Sequence, residues 1–318
     1  MDYVVGVAME VLVAGFGSIG RRHVNNLLNL EDIDRISIYT KVKDFGDLNK
    51  DKIEIINSLN GVDVDFAIIA NETHRHLATA IPLAERGIHL FIEKPLTHNL
   101  RDVRVLKEIV ERKKVKVFVG YNLRFLGAMM CIKEQLSKRI IGDLYFAKIE
   151  VGQYLPLWRP DSDYRYSYSA NSDRGGGVAL DLSHEVDYMR YLFGDPYCWK
   201  VARSKVSKLE IDSEDIFEAV YKYQNGFICN VHMDYLQQDK KREIRIVGSE
   251  GTLICDFINK TLRVNKDSVI KDESIFDINK TYIDELTHFI ESIEQNIEPR
   301  VTLEDGIKVL KLLEDGSV

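Results

Sequence analysis

From residue 9 to residue 120 the chain alternates short unbroken apolar runs with stretches in which apolar residues recur every three or four positions. An unbroken run suits a strand buried on both faces, and the three-to-four spacing suits a helix with one buried side. The predicted strands are 11–14, 36–39, 66–70, 89–92 and 115–119. The predicted helices between them are 18–30, 76–86 and 100–113, with Asn99 and Asp102 placed to cap the last. Strict alternation of strand and helix builds a parallel, doubly wound α/β sheet. Residues 1–8 precede the first strand and take no assignment.

Beyond residue 124 the runs lengthen and apolar residues alternate with polar ones, as at 215–223 and 227–235, which Gln224-Asn225-Gly226 joins. Asn-Gly between two alternating runs predicts a hairpin, because both residues tolerate positive φ. Further strands are expected at 145–151, 242–247 and 252–256, and helices at 129–137, 184–193, 282–295 and 303–313. That makes this half an α+β domain on an open, mostly antiparallel sheet. The expected division is 9–124 and 125–318.

The first strand leads into Gly15-Phe16-Gly17-Ser18-Ile19-Gly20 at the start of a helix. Glycines at this spacing allow a tight turn, close approach of the backbone to a pyrophosphate, and close packing of helix on sheet. The helix N-terminus adds partial positive charge. Between strand and helix, these six residues predict the pyrophosphate loop of a dinucleotide-binding Rossmann domain. The ribose partner is expected about 20 residues on, where the chain reads Tyr39-Thr40-Lys41-Val42-Lys43. A hydroxyl and two cations suit a 2′-phosphate better than a bare diol, which favours NADP over NAD through Thr40 and Lys41; Asp44 argues for NAD if the strand runs longer. Asn71, Thr73 and His76 follow the 66–70 strand at the end where open α/β sheets collect ligands, and are expected along the cofactor. Thr73 is also placed to cap the next helix. His74 and His76 have no third ligand at sensible spacing, so no metal site is expected.

Glu93-Lys94-Pro95 closes another strand. Glu93 and Lys94 would then lie along the cofactor, and Lys94 can exchange a substrate hydroxyl proton and hold the developing oxyanion if burial lowers its pKa. The alternative is a surface lysine after a strand. Gly175-Gly176-Gly177 precedes a helix carrying His184. Three glycines let a loop pass close to a ligand, and histidine titrates near neutrality. His184 is therefore either a general acid or base that also touches substrate, or a packing histidine at a helix start.

A net charge of −7, from 43 Lys and Arg against 50 Asp and Glu, argues against nucleic-acid binding, which needs a basic surface. No apolar run approaches the roughly 18 residues of a membrane span, and no signal peptide is visible. Cys131, Cys198, Cys229 and Cys255 are widely spaced and form no Cys-x-x-Cys pair. The expectation is a cytoplasmic protein with reduced thiols that acts on a small molecule.

Together these segments resemble the Gfo/Idh/MocA family, named for glucose-fructose oxidoreductase, inositol dehydrogenase and rhizopine catabolism. The resemblance runs through the glycine loop, Glu93-Lys94-Pro95, Gly120-Tyr121-Asn122-Leu123-Arg124, and the glycine triplet with Asp181 and His184. It implies an N-terminal Rossmann domain and a C-terminal domain whose open sheet often forms an oligomer interface, here of a dimer or tetramer. It also implies a catalytic Lys94, with Asp181 and His184 completing the set. Members of the inositol dehydrogenase type place three residues between the aspartate and the histidine, whereas here only Leu182 and Ser183 intervene. Asp181 or His184 therefore departs from the family's placement.

Tyr154, Trp158, Arg159, Tyr164 and Tyr168 crowd one segment, where rings can cover the apolar faces of a sugar and an arginine can pair with a carboxylate or phosphate. The same residues can instead pack the loop or an oligomer contact. Asn122 and Arg124 are either substrate ligands or hydrogen bonds of a hinge. The expected activity is hydride transfer between NADP or NAD and a hydroxyl or ketone of a sugar, sugar acid, nucleotide sugar or cyclitol. The alternative is a cofactor-bound sensor or co-repressor of the same fold, against which an intact Lys94 and His184 count.

Overall fold

The computed structural model describes residues 8–42, 45, 51–265, 268–270 and 272–315. Most of the unassigned start, together with Lys43 and Asp44, lies outside the described residues. The chain forms two compact units: everything up to Gly120 with Tyr282–Ile307, and Tyr121–Thr281 with Lys308 onward. Its α-helices are α1 (Ser18–Leu27), α2 (His76–Glu85), α3 (Val103–Lys113), α4 (Gly127–Ser137), α5 (Val178–Asp181), α6 (His184–Phe193), α7 (Ile278–Glu294) and α8 (Leu303–Leu312).

The first unit holds β1 (Met9–Ala14), β2 (Ile33–Tyr39), β3 (Ile53–Ile56), β4 (Phe66–Ile69), β5 (His89–Ile92) and β6 (Val117–Val119) in the order β3-β2-β1-β4-β5-β6. Every neighbouring pair is parallel, and the order reverses beside β1, as in a doubly wound fold. The central strands read as unbroken apolar runs because both faces are covered: Val11, Leu12, Val13, Phe66, Ile68, Leu90 and Phe91 have no exposed surface. Phe289 of α7 packs against Phe66, Phe91 and Phe118, at 5.5, 5.9 and 6.0 Å between ring centroids. Those contacts bring 282–307 back to this sheet, whereas the sequence reading kept it with 125–318. Asp102 does stand at the N-cap of α3, but its side chain caps nothing, and Asn99 Oδ1 instead accepts from the Arg101 amide.

The second unit holds β7 (Leu144–Gly152), β8 (Cys198–Ser204), β9 (Ile216–Lys222), β10 (Ile228–Asp234), β11 (Lys241–Gly248), β12 (Gly251–Asp256), β13 (Thr261–Val264) and β14 (Ser268–Ile270) in one sheet, ordered β14-β13-β12-β11-β7-β10-β9-β8. Pairing is antiparallel except between β7 and β10, which run parallel. Alternation sends Ile149, Phe217, Val231, Ile244 and Ile246 to a fully buried face. Phe146, Val220 and Ile228 lie on the opposite face, 45%, 43% and 36% exposed.

The β9–β10 hairpin closes through Tyr223 N to Phe227 O and Gly226 N to Tyr223 O, with Asn225 Oδ1 accepting from the Phe227 amide. Only Gly226 takes a positive φ, 88°. The link is thus a three-residue loop with one left-handed glycine, rather than a tight pair of left-handed residues.

Candidate active site

In the first unit, Ala14 pairs with Ile69 and Ile69 with Ile92, so β1, β4 and β5 end side by side. The segments they release, Gly15–Gly20, Asn71 and Glu93-Lys94, therefore emerge along one edge of the sheet. Gly15 has φ +108°, and a Cβ there would strike the Ala70 carbonyl and the Asn71 amide. A Cβ on Gly20 would collide with the Gly15 carbonyl, so these two glycines serve the turn and the helix packing. Gly17 differs: nothing lies within 4 Å of where its Cβ would stand. It is the N-cap of α1, with no side-chain cap and no acidic residue in the first turn. Open space over an uncapped helix N-terminus fits a pyrophosphate. Gly17 and Ser18 are exposed and Ile19 is half-buried, while Phe16 is buried beside Phe45 with the Arg21 guanidinium 4.4 Å above its ring. Arg21 places a cation beside this loop that the sequence reading did not single out.

β2 ends at Tyr39, whose carbonyl accepts from the Gly15 amide, so Thr40 and Lys41 follow the strand where a ribose partner is expected. Thr40 Oγ1 accepts from the Val42 amide, and Lys41 is exposed. Asn71 donates through Nδ2 to Thr79 at 2.8 Å, and its Oδ1 is buried without a partner among the described residues. That orphaned acceptor suits a ligand hydroxyl or amide.

Thr73 opens a short 3₁₀ turn and caps nothing; the N-cap of α2 is Arg75. His76 is 1% exposed, with its ring nitrogens 3.0 Å from the Pro95 carbonyl and 3.1 Å from the Asn71 carbonyl. It braces the segments after β4 and β5, and burial pushes its pKa down. Glu93 is 7% exposed and turned inward: Oε1 lies 2.6 Å from His23 Nε2, and Oε2 accepts from the Lys94 amide at 3.2 Å. Lys94 is half-buried and joined to Pro95 by a cis peptide.

In the second unit, His184 is half-buried at the first position of α6, edge-on to Tyr121 at 5.6 Å. Asp181 is 5% exposed and accepts from the Tyr235 hydroxyl at 2.6 Å; its charge is the main cause pushing the Tyr168 phenol up. The ring of Trp158 stands perpendicular to Tyr235 at 5.2 Å, and Arg159 lies 5.7 Å over Tyr168. Trp158, Arg159 and Tyr164 line one shallow pocket with Leu155 and Ser169. Tyr154 stands just before this group, its amide paired with the Gln237 carbonyl.

The glycine triplet approaches protein rather than open space. A Cβ on Gly176 would meet the carbonyls of Tyr168, Ser169 and Asn171, and one on Gly177 would meet the Glu214 carboxyl. Burial pushes the Glu214 carboxyl up, with the Asp181 charge adding to it. Sequence reasoning missed Glu214, which packs on this loop from a distant segment. Asn122 donates to Thr281 at 2.6 Å, and Arg124 makes a buried fork with Asp187, Nη2 to Oδ1 at 2.6 Å and Nε to Oδ2 at 2.9 Å. Both are committed to partners within this unit.

Known proteins share this fold. The model of an oxidoreductase family's NAD-binding Rossmann fold matches residues 9–121, and that of the same family's C-terminal alpha/beta domain matches residues 133–316. The myo-inositol 2-dehydrogenase of Thermotoga maritima is 27% identical over 96% of this chain and 94% of its own length. The NADP-dependent scyllo-inositol 2-dehydrogenase IolW of Bacillus subtilis is 24% identical over 96% and 92%. The WlbA dehydrogenase of Bordetella pertussis, solved with NADH and UDP-GlcNAcA, superposes with a TM-score of 0.82 at 18% identity, covering 96% of this chain and 94% of that one. Both halves being matched, the chain belongs to the Gfo/Idh/MocA family of nicotinamide-dependent oxidoreductases.

Proposed function

We propose that this chain is an NADP- or NAD-dependent dehydrogenase or reductase acting on a hydroxyl or ketone of a sugar, sugar acid, nucleotide sugar or cyclitol. The observation that carries the reading is the shared edge of β1, β4 and β5, where the glycine loop, Asn71 and Lys94 emerge side by side. Gly15–Gly20 and the α1 N-terminus would hold the pyrophosphate, Thr40 and Lys41 the adenosine ribose or its 2′-phosphate, and Asn71 Oδ1 a further polar group of the cofactor. When bound, the nicotinamide supplies the two-electron chemistry.

Lys94 is assigned the proton of the substrate hydroxyl, which its ammonium gives up or its amine receives. His184 is the second titratable group assigned to proton handling. Asp181, engaged by Tyr235, is assigned to holding its loop and the tyrosines around it. Trp158, Arg159 and Tyr164 are proposed to meet the sugar. The exposed apolar residues of the second sheet, Phe146, Val220 and Ile228, support a homo-oligomer, and the four cysteines, free of disulfides, fit the cytoplasm.

The test is a panel of sugars, nucleotide sugars and cyclitols with NADP and with NAD, read by nicotinamide absorbance beside Lys94→Met and His184→Ala. Lys94→Met is expected to lower kcat by about a hundred- to ten-thousand-fold while nucleotide still binds. Full activity in Lys94→Met would end the assignment. Nucleotide binding without turnover of any substrate would leave the sensor reading in its place.

A further inference from the structure

A buried cluster includes Glu93, which accepts from the Lys94 amide. His23 on α1, Glu93 after β5 and Glu285 on α7 each offer an atom within 4.8 Å of the others, and all three are buried. Phe91 and Tyr282 stand edge-on to the His23 ring at 5.2 and 6.0 Å, so part of the cluster's wall is aromatic. Glu93 is well engaged, between His23 Nε2 and the Lys94 amide. Glu285 has no exposed surface, and neither of its oxygens has a hydrogen-bond partner among the described residues.

Two carboxylates this close, out of water, repel one another and each loses several kcal/mol of hydration, so one of them takes a proton. Both oxygens of Glu93 are hydrogen-bonded, whereas among the described residues neither oxygen of Glu285 is. We propose that Glu285 is a neutral carboxylic acid facing the Glu93–His23 pair, and that it acts as a positioning residue which holds Glu93, and through it the Lys94 backbone, in place. Burial and the Glu93 charge both push the Glu285 carboxyl well up, in keeping with this. Another charge near the cluster is the Arg22 guanidinium, 4.6 Å over the Tyr282 ring.

A divalent ion is the competing occupant, since one imidazole and two carboxylates are ligand types. The structure favours the proton because, among the described residues, His23 Nδ1 lacks the acceptor that normally fixes a ligating imidazole.

The protonation claim is independent of the proposed reaction; the positioning claim rests on Lys94 being the proton-transfer group. Infrared spectra of the full-length wild type and Glu285→Gln at neutral pH are expected to differ by a protonated-carboxyl carbonyl band, present only in wild type and unchanged by EDTA. Absence of that band overturns the neutral acid. So does metal analysis finding one divalent ion per chain that Glu285→Gln loses. Glu285→Leu is expected to lower kcat roughly tenfold or more and to shift its pH profile, with Glu285→Gln restoring most of the rate. Wild-type kinetics in Glu285→Leu would overturn the positioning role; if that variant does not fold, the kcat and pH profile of Glu285→Ala decide the role in the same way, and the infrared comparison decides the protonation state. Full activity in Lys94→Met would remove the proposed mechanism and leave the band untouched, so the two failures are distinguishable.

Discussion

Replacing Arg124 by methionine separates a structural arginine from a substrate ligand. The guanidinium reaches Asp187 through three hydrogen bonds of 2.6 to 3.1 Å, and the two side chains are 8% and 1% exposed. An exposed ion pair is worth under about 1 kcal/mol. Removing one member of a buried pair strands the other charge in a poor solvent and costs about 3–5 kcal/mol. That corresponds to roughly two to four powers of ten in the unfolding equilibrium. Arg124 also lies 5.8 Å over Tyr191, which Lys133 approaches from 3.7 Å. Burial and the Arg124 charge lower the Lys133 pKa, so losing Arg124 relieves Lys133 and offsets a little of the cost. The chain's two tryptophans, Trp158 and Trp199, both belong to the second unit, so urea unfolding followed by tryptophan fluorescence reports on the unit that contains the pair. Arg124→Met and Asp187→Leu are each expected to lower its stability by that amount, and the double variant to recover most of it. A single-variant loss below about 1 kcal/mol, or additive losses in the double variant, would refute the reasoning.

Gly15→Ala is expected to abolish nucleotide binding and destabilise the first unit, because its Cβ meets backbone at φ +108°. Gly17→Ala is expected to leave stability within about 0.5 kcal/mol yet weaken nucleotide binding in a titration, since that Cβ enters only open space. His232, chiefly through its hydrogen bond to Asp234 and also through Glu218, has its pKa raised from 6.5 to about 9. Its contribution to stability is therefore full below pH 6.5 and lost as pH rises through about 9, a decline in urea midpoint that His232→Gln should flatten. As a test of the proposed homo-oligomer, Phe146→Glu, on the exposed sheet face, is expected to sediment as a smaller species than wild type without changing the circular dichroism spectrum.

The Rossmann strands were legible because burial on both faces forces unbroken apolar runs, and 89–92 coincides with the observed β5. The same logic failed at β3, an edge strand whose residues Ile53, Glu54, Ile55 and Ile56 are all at least partly exposed. It also failed at β8, where no position is buried and alternation carries no signal. Helix α7 was visible as an amphipathic segment, but amphipathicity records that a face is covered and not by which sheet. Its return to the first unit depends on Phe289 meeting Phe66, Phe91 and Phe118, a contact without local sequence signature.

At the site, motif reasoning located the turn and the lysine but misread what surrounds them. Glycines report that something is close without saying what: at Gly15 and Gly176 the neighbour is backbone, whereas Gly17 opens onto free space. Glu285 carried a signal that could have been used. In α7 it falls four residues after Thr281, 1% exposed, and four before Phe289, fully buried, so helical spacing sets an acid on the covered side. A carboxyl on such a stripe must meet a cation or take up a proton. Only the fold shows that its facing group is the Glu93–His23 pair rather than a lysine, and that is what makes the proton the expected answer.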